Sequence, residues 1–194
     1  TPGYMPNVGT QVKDMEIRHL PGMSKEISVK EAWEFMQKNN AITLPMTDAD
    51  NNLEGIISMS DITNNMMRHN PTSLSDAKTP FKHIAETLDG EILVGDENGV
   101  FSKGKVLIGA FNPALVKKYI EPGDLVILGD RPEDHLNAVD MQASCMVIGM
   151  GVPVSEAIQS YAREKGTVII TTPHDSFAVA RLIEQSIPVR ALMV

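Results

Sequence analysis

The sequence predicts an α/β protein in two parts. A β-α-β-β-α half-unit spans residues 8–68. Beyond a connection at 69–78, an α/β domain with a mainly parallel sheet spans 79–186. In the second part, short and wholly apolar runs alternate with longer amphipathic ones, the pattern of strands covered on both faces. Glycines punctuate the joins, at Gly109, Gly123, Gly129, Gly149, Gly151 and Gly166. In the first part, two capped helical patterns bracket two short apolar runs joined by a polar turn.

Thr1 to Gln11, with Pro2, Gly3, Pro6 and Gly9, reads as an incoming linker, and Val12–Ile17 as a short strand before the Pro21-Gly22 turn. Ser28-Val29-Lys30-Glu31 is a capping box. The Ser28 hydroxyl can accept from the Glu31 amide while the Glu31 carboxylate reaches back to the Ser28 amide. The helix it opens carries Val29, Ala32, Trp33 and Met36 on one face and closes at Asn39-Asn40. Ile42–Met46 is a strand, Asp48–Asn52 a polar turn, and Leu53–Ser58 a second strand, apolar at Ile56 and Ile57. Ser60 or Asp61 then caps a helix bearing Ile62, Met66 and Met67.

After the Asn70-Pro71-Thr72-Ser73 connection, Thr79-Pro80 starts a helix with proline in its first position. Strands are expected at Ile92–Val94, Val106–Ile108, Leu125–Leu128, Cys145–Ile148 and Val168–Thr171. The helices between and after them are Pro113–Tyr119, Pro132–Met141, Ser155–Lys165 and Ser176–Glu184. From Ile187 to Val194 the chain reads as an extended exit segment. It starts at Thr1 and stops within an apolar stretch, so a piece of a longer protein is expected.

Composition narrows the partners. Seventeen basic against twenty-five acidic residues give a net charge of −8. Both halves are acidic, six basic against nine acidic residues up to Asn70 and eleven against sixteen beyond it. Neither half offers the basic footprint that nucleic acid or an anionic membrane surface requires. Hydrophobic residues make up 42 % of the chain, enough for a real core, and no run approaches the ~18 apolar residues of a spanning helix. The single cysteine, Cys145, excludes an internal disulfide and fits a reducing, cytoplasmic setting. Its apolar neighbours Met146, Val147 and Ile148 make it a buried small hydrophobe.

The most informative stretch is Thr43-Leu44-Pro45-Met46-Thr47-Asp48, followed by Leu53-Glu54-Gly55-Ile56-Ile57-Ser58-Met59-Ser60-Asp61-Ile62. Together with Asp14-Met15 and the capped helix, it resembles a CBS motif, the half-unit named after cystathionine β-synthase. The resemblance implies a nucleotide cleft between strand edges. Backbone groups of Thr43, Leu44, Pro45 and Met46 would meet an adenine edge, and Ser58 and the amides opening the next helix, with Ser60, would meet phosphate. Asp61 would take the ribose hydroxyls. Lys25, Lys30 and Arg190 are candidate phosphate helpers. The bland reading of Ser60 and Asp61 is that they only cap a helix. CBS motifs normally pair in one chain, and Pro188-Val189-Arg190 with Leu192-Met193 reads as the start of a truncated second copy over 187–194.

Gly129-Asp130-Arg131-Pro132, Asp140 to Cys145, and Gly149-Met150-Gly151 with Val154-Ser155 resemble a DRTGG domain, with Gly149-Met150-Gly151 standing where Thr-Gly-Gly is expected. Val154 occupies the third glycine site of a dinucleotide loop, so a tight strand-to-helix turn is the simpler reading. Asp130-Arg131 reads as a local ion pair. A CBS motif, then a DRTGG domain, then the run Thr171 to Arg190 is similar to the regulatory insert of CBS-containing family II inorganic pyrophosphatases, which are manganese- or cobalt-dependent. That family implies adenine-nucleotide control by AMP, ADP, ATP and diadenosine polyphosphates, with AMP and ADP inhibiting and the diadenosine compounds activating. It also implies a homodimer through the CBS regions, and manganese or cobalt in a catalytic domain outside this region.

No catalytic residue is expected within the chain. His19, His69, His83, His135 and His174 form no His-x-His, His-Glu-x-x-His or Asp-His-His run, and no metal site is expected. Glu133-Asp134-His135 reads as a helix surface, and Asp48/Asp50 lack the closing glutamate of a calcium loop. Met66-Met67 and Met141 to Met150 read as core filling and interface. Two alternatives stay open: a ligand-free dimerisation or spacer module, and the DRTGG part of another enzyme such as a phosphate acetyltransferase.

Overall fold

The structure, a computed structural model, describes Gly9, residues 11–110 and residues 112–193. Of the expected linker at Thr1 to Gln11, only Gly9 and Gln11 fall within the described residues, and Val194 lies outside them. Val12–Asp14 is a single 3-10 turn rather than a strand. The Asp14 carboxylate accepts the Gln11 amide at 3.2 Å, and such local bonding competes with extended pairing.

Helix α1 (Val29–Lys38) is capped by Ser28, whose Oγ accepts the Glu31 amide at 3.1 Å. It buries Val29, Ala32 and Met36 and leaves Trp33 46 % exposed. Strands β1 (Thr43–Thr47) and β2 (Leu53–Ser58) pair antiparallel, with Thr43 opposite Ser58 and Thr47 opposite Leu53. The turn between them is built on Asp48, which accepts from the Asp50 and Asn52 amides and from Asn52 Nδ2. Met23 lies along the other edge of β1, donating to the Pro45 carbonyl and accepting from the Thr47 amide. Helix α2 (Met59–Met67) follows directly, and its cap is Ser58, two residues before the expected Ser60.

In the second part, Thr79-Pro80 is a short strand, β3 (Thr79–Pro80), and not the first turn of a helix. Proline has no amide to give and sits at φ −60, ψ 138, so helix α3 (Phe81–Thr87) starts one residue later. After strand β4 (Glu91–Val94) comes β5 (Val100–Phe101), which pairs with β3 and which the sequence pattern does not announce. The remaining elements alternate as expected: β6 (Val106–Ile108), α4 (Pro113–Tyr119), β7 (Leu125–Leu128), α5 (Pro132–Asp140), β8 (Cys145–Ile148), α6 (Glu156–Lys165), β9 (Val168–Thr171) and α7 (Ser176–Leu182). The sheet runs β4-β9-β8-β7-β6, parallel from β6 to β9, with β4 antiparallel at one edge.

The two faces of this sheet carry two cores. Val126, Leu128, Met146, Ile148 and Ile169 pack under Val116 of α4, Ala138 and Val139 of α5, and Ala162 of α6. Leu125, Ile127, Cys145, Val147 and Ile170 pack under Phe81 and Ile84 of α3 and Val179 of α7. That second core continues without a break into Met36, Leu44, Met46, Ile57 and Ile62 of the first part. Cys145 is fully buried, and burial pushes its thiol up, away from reactivity.

The exit segment departs from the extended reading. After α7 the chain makes a 3-10 turn at Ile183–Ser186, runs back along the start of α1 and turns again at Val189–Leu192. The Val29 amide donates to the Ile187 carbonyl, the Val189 amide to Ile27, and the Arg190 amide to Lys25, each at 2.9 Å.

Asp124, ahead of β7, is the best-satisfied buried carboxylate. It accepts from the Lys105 amide at 3.0 Å, the Glu121 amide at 2.9 Å and the Lys105 ammonium at 2.7 Å. Burial raises its pKa, but these bonds outweigh it and hold the group below its ordinary value of 3.8. Its stabilisation is therefore complete above that value and is lost as the pH falls through the lower folded-state pKa. Asp124→Asn should cost about 2–3 kcal/mol at neutral pH, read by urea unfolding, and should flatten the acid limb of the stability profile. An unchanged midpoint would contradict this.

Candidate functional site

The residues singled out around β1 and β2 divide between two faces. Leu44 and Met46 point inward and are fully buried, opposite Ile57 and Gly55. Thr43 and Pro45 lie on the other face with Ser58 and Ile56, and Ile56 is 62 % exposed. β1 and β2 bond directly to one another and Met23 occupies the outer edge of β1, so a ligand would meet the open face of the hairpin rather than a gap between its strands.

At the Thr43 end of that face, Ser58 and Asp61 form a reciprocal cap. Asp61 Oδ2 accepts the Ser58 amide at 2.8 Å and the Ser58 hydroxyl at 2.6 Å, and Ser58 Oγ accepts the Asp61 amide at 3.2 Å. The Ser58 hydroxyl, then its amide, hold the Asp61 carboxyl below its ordinary value. Asp61 is exposed and its Oδ1 has no protein partner among the described residues, so an acceptor is presented at the start of a nine-residue helix. Ser60 stands beside it, exposed, on the first turn.

The three candidate cations are placed differently. Lys25 pairs with Glu54 at 2.6 Å, at the opposite end of the hairpin. Ser58 is four steps along the strand from Glu54, a distance of about 13 Å. Arg190 pairs with Glu26 at 3.0 Å, close to Lys25, whose carbonyl accepts its amide. Lys30 lies on α1, 3.9 Å from Glu34, and faces a groove of 260 Å³. That groove is lined by Val29, Trp33, Ile62, Met66 and Gln185. Trp33, expected on one face with Val29, Ala32 and Met36, lies at the exposed margin of that face, directly after Ala32 and 100° further round the helix. Met67, expected as core or interface, is 80 % exposed on α2.

The DRTGG-like loops are mostly committed to structure. Met150 and Gly151 both have positive φ, and their amides donate to the His174 and Thr172 carbonyls, so the Gly149-Met150-Gly151 turn has no free cradle there. A crevice of about 550 Å³ opens beside it at the ends of β8 and β9, lined by Asp89, Glu91, Pro153 and Thr172 among others. His174 Nε2 lies 2.9 Å from Asp89 Oδ2, and this bond holds the Asp89 carboxyl down. Arg131 pairs with Asp134 at 3.0 Å rather than with the adjacent Asp130. Asp134 and His135, read as surface, are both buried. His135 Nε2 donates to the Gly129 carbonyl, whereas Asp134 Oδ1 has no partner among the described residues, and burial pushes that carboxyl up against the pull of Arg131. Among the described residues no three His, Cys, Asp or Glu side chains converge as a metal site, and no helix is long and apolar enough to cross a membrane.

Comparison with known proteins agrees with this architecture. The CBS-domain family matches residues 12–68 and the DRTGG-domain family residues 83–186. The CBS and DRTGG domains of the regulatory region of Clostridium perfringens pyrophosphatase superpose with a TM-score of 0.88 at 34 % identity, over 95 % of this chain and 81 % of that one. The chain belongs to the CBS–DRTGG regulatory-region family. The C. perfringens structure holds its activator, diadenosine tetraphosphate. Among whole proteins, this CBS–DRTGG region is 34 % identical over 194 residues to the cobalt-dependent inorganic pyrophosphatase of C. perfringens. It is 24 % identical over 195 residues to a "Probable manganese-dependent inorganic pyrophosphatase" of Thermotoga maritima. Each match takes in 99 % of this chain, and the chain spans about a third (35 %) of the length of each relative.

Proposed function

We propose that the chain is the adenine-nucleotide-sensing region of a cobalt- or manganese-dependent inorganic pyrophosphatase in the cytoplasm, and that it regulates a catalytic part elsewhere in the protein. The observation that carries this is the likeness, along nearly the whole chain, to a regulatory region that binds diadenosine tetraphosphate. On this reading AMP, ADP and ATP compete for the same face as diadenosine polyphosphates, the mononucleotides inhibiting and the diadenosine compounds activating. Thr43 and Pro45 contribute backbone and surface to the purine, Asp61 Oδ1 accepts from the ribose, and Ser58, Ser60 and the start of α2 face phosphate. The helix start supplies the local positive end that an acidic chain otherwise lacks. Ligands that bind two arrangements of the region with unequal affinity shift their populations, which is how opposite signs of control arise from one face.

A homodimer is part of the reading. Trp33 and Met66 line an open apolar groove between α1 and α2, and a second copy would bury it. Trp33→Asp should then turn a sedimenting dimer into a monomer; a variant still dimeric at low micromolar concentration would contradict that interface.

One observation favours a ligand-free spacer instead: Lys25, Lys30 and Arg190 are each already faced by a carboxylate. Calorimetric titration of the full-length protein with diadenosine tetraphosphate and with AMP separates the two readings. Binding is expected, and Asp61→Ala should weaken it at least tenfold while costing about 1 kcal/mol of stability as a lost cap. No heat with either nucleotide would leave the spacer reading, and unchanged affinity in Asp61→Ala would reduce Asp61 to a cap.

A further inference from the structure

The DRTGG domain is tied to the CBS motif by two stretches of chain, the connection leading to β3 and the return after α7. One side chain touches both. Arg190 Nε donates to Glu26 Oε2 at 3.0 Å, in the loop ahead of α1. Its Nη2 donates to the Lys78 carbonyl at 3.2 Å, at the end of the incoming connection. Its own amide bonds the Lys25 carbonyl at 2.9 Å. We propose that Arg190 is a positioning residue, a clasp that fixes the DRTGG domain against the CBS motif by holding the incoming connection, the returning segment and the loop before α1 together.

The partners are suited to that role. Lys78 has φ +49, a left-handed conformation that a lysine adopts only at some cost, and it is closed into a tight turn by its amide bond to the Ser75 carbonyl. The turn aims its carbonyl at the guanidinium. Planar Arg can serve Glu26 and that carbonyl with two separate N–H groups at once, whereas Lys presents one point charge on a flexible stem. Behind Arg190, Ile187 and Val189 are almost completely buried, so the segment that carries the clasp is itself anchored. Occupied in this way, Arg190 serves geometry rather than phosphate, and the proposal stands whether or not a nucleotide binds.

Hydrogen exchange on the full-length protein without nucleotide tests this. In Arg190→Gln, exchange should rise at least fivefold in both 74–79 and 25–29, with the β7 and β8 amides unchanged as the mark of an intact fold. In Arg190→Lys, which keeps the pairing with Glu26, 25–29 should stay protected while 74–79 opens. Arg190→Gln with 74–79 as protected as in the parent would overturn the clasp. If Arg190→Gln does not fold, the lysine variant decides: loss of protection confined to 74–79 supports the clasp, and full protection there refutes it.

Discussion

The backbone pairing of Ile187, Val189 and Arg190 with Val29, Ile27 and Lys25 is the constraint on which the rest of the molecule depends. It joins residues near opposite ends of the chain, so its loop-closure cost is met only because other groups are buried at the same time. Ile187 and Val189 enter the core that already runs from the CBS hairpin to the near face of the DRTGG sheet. What the sequence writes as two units is therefore one hydrophobic body on that side. The far face of the sheet keeps a separate core under α4, α5 and α6.

This arrangement gives the candidate nucleotide face a short path to the DRTGG domain. Ser58 and Asp61 open α2, and Ile62 on the same helix packs in the shared core with Ile183 and Val189. A ligand that shifts α2 thus acts on side chains continuous with the returning segment. Electrostatics sharpen the picture. An acidic chain keeps its cations near the hairpin in ion pairs, and at the start of α2 the Ser58 and Asp61 amides and the Ser58 hydroxyl are engaged in the cap, which leaves Ser60 and Asp61 Oδ1 facing outward. Exposed pairs of that kind are worth little individually, and their effect is to set which surface is available.

Much of the fold is legible in the sequence for a plain reason. β7, β8 and β9 are buried on both faces and are written as unbroken Val/Ile/Leu-rich runs, while Asn112, Ser155 and Asp175 cap α4, α6 and α7 through their side chains. What is not legible depends on contacts distant in sequence. β5 is two residues long and exists because Thr79 and Pro80 lie beside it. The return of Ile187 is set by Ile27 and Val29, which no local pattern reveals. At the candidate site, Ser58 and Asp61 are found by motif and belong together. Leu44 and Met46 fall on the buried face, because a strand shows every second side chain to each side. Asp134 and His135 look like helix surface by residue type, yet the first turn of α5 lies against the end of β7, where Gly129 accepts from His135.

Differential scanning calorimetry of this 194-residue chain reads whether the CBS motif and the DRTGG domain form a single cooperative body. One transition is expected, with van't Hoff and calorimetric enthalpies in agreement once dissociation of the dimer is included. Two resolved transitions, or a van't Hoff enthalpy well below the calorimetric one, would contradict it.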